Sequence, residues 1–220
     1  MLSPPRLAVD HLAIAAATRE GGVAWVRDRL GVTVPPGGEH PRMGTHNAVA
    51  RTGDNTYLEI LAIDPNAPAP AHPRWFGLDE PALHEELATR PRIATWVVRT
   101  PDLEASLAAA RAAGLDLGSP IAMTRGDLSW TIACREDGKL PEGGALPVLI
   151  QWPEGPHPST RMSDCGLRLV EIVLRHPQPE RLAGWCEAIG ARHLATIDPQ
   201  PSERPTVEVA YEGPQGIVRL

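Results

Sequence analysis

A histidine and a glutamate on two strand-like segments are the residues in this sequence best suited to chemistry. His11 lies within residues 9–15, and Glu59 lies within residues 56–61. Because side chains alternate between the two faces of a strand, each segment presents one possible ligand on a face of otherwise small or uncharged groups. If the strands are neighbours and these faces point the same way, an imidazole and a carboxylate meet on a concave sheet, where they could bind a metal.

Three stretches of the chain repeat one pattern, in which a strand is followed by a helix and then by two or three antiparallel strands. The helix of the second stretch is predicted to start at Thr100-Pro101-Asp102, because a cap residue and a proline favour a first helical turn. In each stretch the first strand lies about 20 residues before a glycine that ends the helix. The three stretches are residues 7–63, 92–152 and 166–220. Proline-rich residues 64–73 and 153–158 are predicted to be the linker loops between them.

The composition argues against two classes of partner. The chain has 220 residues, and its 42% hydrophobic content suffices for one good core or two small cores that share an interface. Nucleic-acid binding needs a basic face, but the formal net charge is −6 and no lysine- or arginine-rich run is present. The apolar amino-terminal run is interrupted too early, at Asp10 and His11, for a signal peptide or a membrane span. Three cysteines without metal-type spacing indicate free thiols, so we expect a cytoplasmic protein.

The order and spacing of these motifs resemble the vicinal-oxygen-chelate superfamily, and within it the glyoxalase-like branch. The segments that resemble it are residues 10–14, 36–41, 44–47, 57–60, 96–103 and 149–152. The resemblance covers residues 7–155, and the repeat extends it to the rest. It implies an α+β fold in which two βαβββ units, 7–63 and 92–152, form a curved half-open barrel. Residues 166–220 then form an additional, shorter βαββ unit packed on the barrel or extending it.

The resemblance also implies a divalent metal held by the first and last strands of each unit. The first unit supplies His11 and Glu59, which are both acceptable ligand types. The matching positions of the second unit are Thr95 and Gln151, which depart from the usual histidine and glutamate. An amide oxygen can bind a hard cation and a neutral hydroxyl does so poorly, so the second unit contributes little.

A second histidine could complete this ligand set. Folding the hairpin that precedes Glu59 places Ala48 beside Glu59 and His46 beside Leu61, on the same face. Two histidines and one carboxylate suit zinc, iron(II) or manganese, with open positions for paired oxygens of a substrate. The predicted metal ligands are therefore His11, His46, Glu59 and Gln151.

A structural role for the pair of His11 and Glu59 stays open beside the metal site. A histidine and a glutamate on adjacent strands commonly hydrogen-bond to each other. In the third stretch the matching positions are Glu171 and Arg219, which predict a cross-strand ion pair. The scaffold can therefore hold these positions without metal-binding chemistry.

Further residues are candidates for a substrate pocket. Thr95 lies at the position that matches His11, and Arg125 precedes a predicted strand, where it could bind a substrate carboxylate through two hydrogen bonds. Trp130 could form an aromatic wall together with Trp152. For the tryptophans a place in the core, and for the arginine a solvated loop, are the alternatives. Alanines on the presumed inner face would leave a cavity.

Two classes of function follow from these patterns. The first is an enzyme in which a divalent metal chelates vicinal oxygens of a small substrate, with lyase, isomerase or dioxygenase chemistry. The second unit has no carboxylate to act as a mobile base, which counts against glyoxalase I activity itself. The second class is a metal-free protein of the bleomycin-resistance kind that binds or sequesters a small molecule. Three units where a barrel uses two leave an unpaired edge, so a homodimer is also expected to be feasible.

Overall fold

The computed structural model describes residues 7–220, which form an α+β structure with one large and one small sheet. The first unit contains one helix and four strands. Its elements are β1 (Ala8–Ala15), α1 (Arg19–Leu30), β2 (Pro36–His40), β3 (Thr45–Gly53) and β4 (Thr56–Ile63). The hydroxyl of Thr18 caps α1 by accepting a hydrogen bond from Gly21 N at 3.0 Å. Gly31 ends the helix in the left-handed conformation, with φ 72°.

The second unit repeats this order of elements. It consists of β5 (Arg92–Arg99), α3 (Leu103–Ala112), β6 (Ser119–Arg125), β7 (Leu128–Cys134) and β8 (Val148–Gln151). The side chain of Asp102 caps α3 by accepting from Ala105 N at 2.9 Å. The helix therefore begins at the predicted motif but two residues later than predicted, because Asp102 and not Thr100 is the cap and Pro101 precedes the first turn. Residues 64–73 contain no helix or strand, as expected for a linker loop, and a short turn at Trp75–Gly77 and the helix α2 (Pro81–Thr89) lie between this loop and β5.

The eight strands of these two units form a single curved, nearly closed sheet. Their order is β2-β3-β4-β1-β5-β8-β7-β6, so each unit contributes one half. Strand β1 is parallel to β4 and β5 is parallel to β8, whereas β1 and β5 pair antiparallel at the centre. The predicted barrel of two βαβββ units is confirmed.

The third unit forms the small sheet. Its elements are β9 (Arg168–Arg175), α4 (Pro179–Ala188), β10 (Thr196–Ile197), β11 (Thr206–Gly213) and β12 (Gly216–Arg219), and the strand order is β10-β9-β11-β12. Arg219 Nη2 donates to Glu171 Oε2 at 2.8 Å across the intervening β11. The predicted ion pair between these two residues is confirmed.

Two apolar cores lie on opposite faces of the large sheet. The outer core contains Leu12 and Ile14 of β1, and Val209 and Tyr211 of the third unit belong to the same cluster. The third unit therefore packs on the outside of the barrel. The inner core contains alanines of β1 together with Trp75, Trp130 and Ile150. Within residues 7–220 no helix is long and apolar enough to cross a membrane.

Candidate functional site

The inner face of the barrel brings His11 and Glu59 together. Strands β1 and β4 are parallel neighbours, with His11 opposite Tyr57 and Ala13 opposite Glu59. His11 Nε2 lies 3.5 Å from Glu59 Oε2, and both side chains are buried. The Tyr57 ring stacks on the imidazole with a centroid distance of 4.4 Å, which fixes the plane of the ring. An imidazole and a carboxylate thus point into one pocket.

Asp10 holds the other side of the His11 imidazole. The register of β1 against β5 shifts between Val9 and His11. This bulge lets the consecutive side chains of Asp10 and His11 face the same side of the sheet. Asp10 Oδ1 lies 2.7 Å from His11 Nδ1, while Asp10 Oδ2 accepts from Trp152 Nε1 and bonds to His157 Nε2, each at 2.9 Å. Asp10 is fully buried, so these partners stabilise its charge in place of water.

The two carboxylates determine the charge of the imidazole. Burial alone lowers the pKa of His11, but the hydrogen bonds to Asp10 and Glu59 outweigh it and raise the pKa to about 9. Burial alone raises the pKa of Glu59, but the hydrogen bond and charge of His11 lower it to about 2. Burial likewise acts to raise the pKa of Asp10, whereas its two histidine partners hold that pKa well below the usual range. At neutral pH the pocket therefore contains an imidazolium between two carboxylates.

Arg125 reaches the pocket from the second unit through Asn47. Asn47 Nδ2 donates to Glu59 Oε1 at 2.6 Å, and Asn47 Oδ1 accepts from Gly38 N at 2.8 Å and from Arg125 Nη1 at 3.3 Å. Gly38 allows this approach, because a Cβ at this position would lie 2.7 Å from Arg125 Cδ. The side-chain amide of Asn47 therefore bridges the guanidinium of Arg125 and the carboxylate of Glu59.

His40 is a second buried histidine of the pocket. Its Nδ1 lies 3.1 Å from Thr45 Oγ1, and its Nε2 lies 3.5 Å from Arg125 Nη1. Burial lowers the pKa of His40 to about 4, and the charge of Arg125 acts in the same direction. His40 is consequently neutral at neutral pH, unlike His11.

Aromatic side chains form the remaining walls. Trp130 and Trp152 lie with ring centroids 5.4 Å apart, and Trp75 meets the His40 ring edge-on at 5.0 Å. Pro158 and Met162, from the segment that links the second and third units, also line the pocket. The cavity volume is about 30 Å³, which is room for roughly two water molecules. A larger ligand therefore requires a lining segment to move.

His46 lies on the opposite face of β3 from the pocket. The hairpin register pairs Val49 with Glu59 and His46 with Ala62, one residue away from the predicted pairing of Ala48 with Glu59. The shift arises from an irregularity between Arg51 and Gly53 at the end of the strand. The predicted register is therefore wrong, and Asn47 occupies the inward position that we expected for His46.

The second-unit residues are also placed differently from the prediction. Gln151 Oε1 accepts from Leu103 N at 2.8 Å, at the start of α3, so the amide faces the helix and Ile150 lines the pocket instead. Thr95 is buried opposite Ala13, and its hydroxyl donates to the Trp96 carbonyl at 3.2 Å. Neither polar group lies in the pocket, whereas Arg125 and Trp130 both line it.

The residues of this site match one half of a transition-metal site. Two ligand atoms that share one metal ion lie roughly 3–3.5 Å apart, close to the separation of His11 Nε2 and Glu59 Oε2. The hydrogen bond that the other nitrogen of His11 donates to Asp10 is typical of a ligating histidine. However, residues 7–220 contain no group of three or more His, Cys, Asp or Glu side chains placed to hold a metal. Zinc and iron sites need at least three protein ligands, so this donor set does not fit them.

Several site residues escaped the sequence analysis. Asp10 belongs to the motif that singled out His11, but strand alternation places it on the other face, and only the bulge brings it inward. Asn47 was missed because of the hairpin register. His157 comes from a linker that has no repeat partner, so no sequence pattern indicates its contact with Asp10. His40 lies close after Gly37-Gly38, where the glycines indicate a mobile loop at the mouth of a pocket and not a buried histidine.

Comparison with known proteins gives one family match. A family model described as a glyoxalase-like domain matches residues 9–190, most of the chain. No curated protein sequence matches this chain significantly.

Solved structures provide further comparisons. A hypothetical protein from Staphylococcus aureus aligns with a TM-score of 0.58 and 15% identity, over 97% of this chain and 84% of the other. A mutant of 4-hydroxymandelate synthase from Streptomyces coelicolor gives a TM-score of 0.53 and 16% identity, over 99% of this chain and 63% of the other. Methylmalonyl-CoA epimerase from Mycobacterium tuberculosis gives 0.43 and 20%, over 70% and 93%. At 15% and 16% identity, the similarity to the first two structures is one of fold.

Proposed function

Because the chain belongs to the glyoxalase-like domain family, we propose that it is an enzyme that moves a proton on a small, oxygen-rich carboxylate substrate without a bound transition metal. One observation supports this proposal above the others. Asp10, His11 and Glu59 form a buried chain of charges that ends in a pocket shared with Arg125.

Burial of these charges is costly for the fold. Taking an ion out of water costs several kcal/mol, and a buried ion pair offsets that cost only when its remaining hydrogen bonds are satisfied. In the third unit the positions that match His11 and Glu59 hold an exposed ion pair, Glu171 with Arg219, so the scaffold does not need buried charges there. Strongly perturbed pKa values clustered in a cleft are typical of catalytic sites. The buried chain therefore favours a catalytic function over a structural one.

The positions of the groups suggest a role for each. Arg125 would bind the substrate carboxylate, since a guanidinium matches a carboxylate through two hydrogen bonds. His11 Nε2–H would donate to a substrate carbonyl oxygen, and its contact with Glu59 is long enough to be exchanged for that oxygen. Glu59 would accept a proton from the neighbouring carbon, leaving an enolate whose charge is stabilised by the imidazolium. Return of the proton from Glu59 to carbon completes the cycle, and Asp10 keeps the imidazole oriented.

One observation favours a second candidate function, a protein that binds a small carboxylate without chemistry. Burial acts to raise the pKa of Glu59, but the hydrogen bond and charge of His11 lower it to about 2. A carboxylate this acidic is a weak base at neutral pH. In the enzyme, an oxygen of the negative substrate would replace Glu59 as the acceptor of the hydrogen bond from His11. The loss of that bond and the charge of the substrate would then raise the pKa of Glu59.

Proton exchange in D₂O separates these functions. We would incubate the purified protein, treated with EDTA, with a panel of short 2-oxo and 3-oxo carboxylates and follow loss of the carbon-bound proton by NMR. We expect exchange above the uncatalysed rate for at least one substrate, a loss of about 100-fold or more in Glu59→Gln, and weaker binding in Arg125→Leu. Binding without proton exchange would support the second candidate, a protein that binds a small carboxylate without chemistry. Exchange only after addition of zinc, iron(II) or manganese would contradict the metal-free proposal.

A further inference from the structure

A second cleft lies outside the barrel, where α1, the segment 86–93 and the third unit meet. Its volume is about 500 Å³, within the range that suits small-molecule ligands. Trp25 lines it from α1, Ile93 from the start of β5 and Val207 from β11. The cleft is far larger than the cavity of the barrel pocket, and none of its lining residues belongs to that pocket.

Arginines dominate the charged groups of this cleft. Arg92 Nη1 and Arg204 Nη1 each lie 2.5 Å from a different oxygen of Glu86. One carboxylate thus pairs with two guanidinium groups, holds them close together and neutralises only one of their two charges. The second acidic lining residue, Glu208, is itself paired with Arg175 at 2.8 Å. These contacts leave a net positive charge beside Glu86.

Two further arginines line the cleft, and one of them, Arg90, increases that charge. Arg90 also lines the cleft, and within residues 7–220 its side chain makes no hydrogen bond or ion pair. Arg219 lines it from β12 and pairs with Glu171. The chain as a whole has a formal net charge of −6, so a cleft that gathers four arginines differs from the rest of the molecule and attracts anions.

The apolar residues of the cleft define the rest of the ligand. The Trp25 indole is partly buried in the wall of the cleft, and Ile93 and Val207 are buried there. A guanidinium binds phosphate or carboxylate oxygens, while an indole packs on a flat or apolar body. We propose that this cleft binds an organic dianion, a phosphate monoester or a dicarboxylate, whose body packs on Trp25. The site is independent of the proposed chemistry in the barrel.

Calorimetric titration of the full chain with phenyl phosphate tests this site. We expect saturable binding by the wild type, competition by phthalate, and no binding of phenol, which lacks the dianion. Arg90→Ala and Arg204→Ala should each weaken binding about tenfold, the usual effect of losing one charge-assisted hydrogen bond. Since Arg90 has no partner in residues 7–220, Arg90→Ala tests binding without breaking an ion pair.

Matched controls locate the binding. Arg111→Ala removes an exposed arginine on α3 and should leave the affinity unchanged. Arg125→Leu should bind phenyl phosphate as well as the wild type does, because Arg125 lies in the barrel. Absence of binding to the wild type, or equal loss in Arg90→Ala and Arg111→Ala, would overturn the proposal. Loss in Arg125→Leu alone would place the anion in the barrel and also overturn it.

Discussion

The side chains of Asp10 and His11 are consecutive on one strand and nevertheless face the same side of the sheet, with Oδ1 of Asp10 2.7 Å from Nδ1 of His11. A strand without a bulge would direct them to opposite faces. The register shift of β1 against β5 removes that alternation at this point. Bulges of this kind are frequent next to active sites, where they redirect a side chain.

The first prediction concerns this pair. Asp10→Asn should destabilise the protein by roughly 3 kcal/mol, because His11 and His157 lose the charge that both of them contact in the interior. Urea denaturation at pH 7 measures the change. Asp127→Asn, which removes the carboxylate from an exposed pair with Arg161, is the matched control and should have no measurable effect. Equal effects of the two substitutions would show that the buried contacts of Asp10 contribute no more to the free energy of unfolding than an exposed ion pair does.

The second prediction is a stability maximum near pH 6.5, the ordinary pKa of histidine. The folded-state pKa of His11 is raised to about 9, so its stabilising contribution is complete below pH 6.5 and is lost as the pH rises towards 9. The folded-state pKa of His40 is lowered to about 4, so the unfolded chain takes up the proton first and stability is lost as the pH falls from 6.5 towards 4. Urea denaturation between pH 4 and pH 9 measures both effects.

A variant tests the acid side of this profile. His40→Gln should flatten the loss between pH 6.5 and about 5 and leave the loss above pH 6.5 in place. Below pH 4.5 the unfolded chain takes up a proton at Glu59 before the folded protein does, because the folded-state pKa of Glu59 is lowered to about 2, and both proteins lose further stability. Stability that continues to rise between pH 7 and pH 9 would contradict the assignment of charge to His11.

Local patterns in the sequence predict the barrel and part of its site. Strand alternation and the repeat suffice to place His11 and Glu59 on the same inner face, since both strands pair without irregularity along these residues. The prediction placed His46 and Gln151 on that face, but in each case the neighbouring residue, Asn47 or Ile150, lies there instead. The cause for His46 is an irregularity in the hairpin, which depends on tertiary pairing. For Gln151 it is the capping of α3, which takes the amide to the other side of β8.

The third prediction concerns Gly38. Gly38→Ala would place a methyl group 2.7 Å from Cδ of Arg125, and the flexible arginine should move away from Asn47. We expect stability to change little and affinity for a small carboxylate to fall about tenfold, measured by titration. Gly184→Ala is the control, because a Cβ at this helical position meets nothing within 4 Å. Unchanged affinity in Gly38→Ala would show that Arg125 does not bind the ligand.

The fourth prediction concerns the segment 153–162, which covers the pocket. His157 bonds to Asp10, and Ser159 Oγ donates to the Asp54 carbonyl at 3.3 Å, while Pro158 lines the pocket. Since the cavity has room only for a few water-sized groups, this segment should open to admit a ligand. His157→Ala should increase hydrogen exchange of residues 153–162 about tenfold, measured by mass spectrometry. Peptides from β4 are the internal control, and equal changes there would indicate general unfolding instead of local opening.

The last prediction compares two neighbouring positions of β8. Gln151→Glu should change stability little and create no metal affinity, because residue 151 faces Leu103 N at the start of α3, where a carboxylate oxygen can accept the same hydrogen bond. Ile150→Glu places a carboxylate in the pocket of Glu59, where the like charges repel, and should destabilise the protein by roughly 3 kcal/mol. With His11 and Glu59 it would also supply a third ligand, so zinc should raise the melting temperature of Ile150→Glu and leave wild type and Gln151→Glu unchanged. A zinc-dependent rise in the wild type would show that two protein ligands suffice, and the metal-free mechanism would then be wrong.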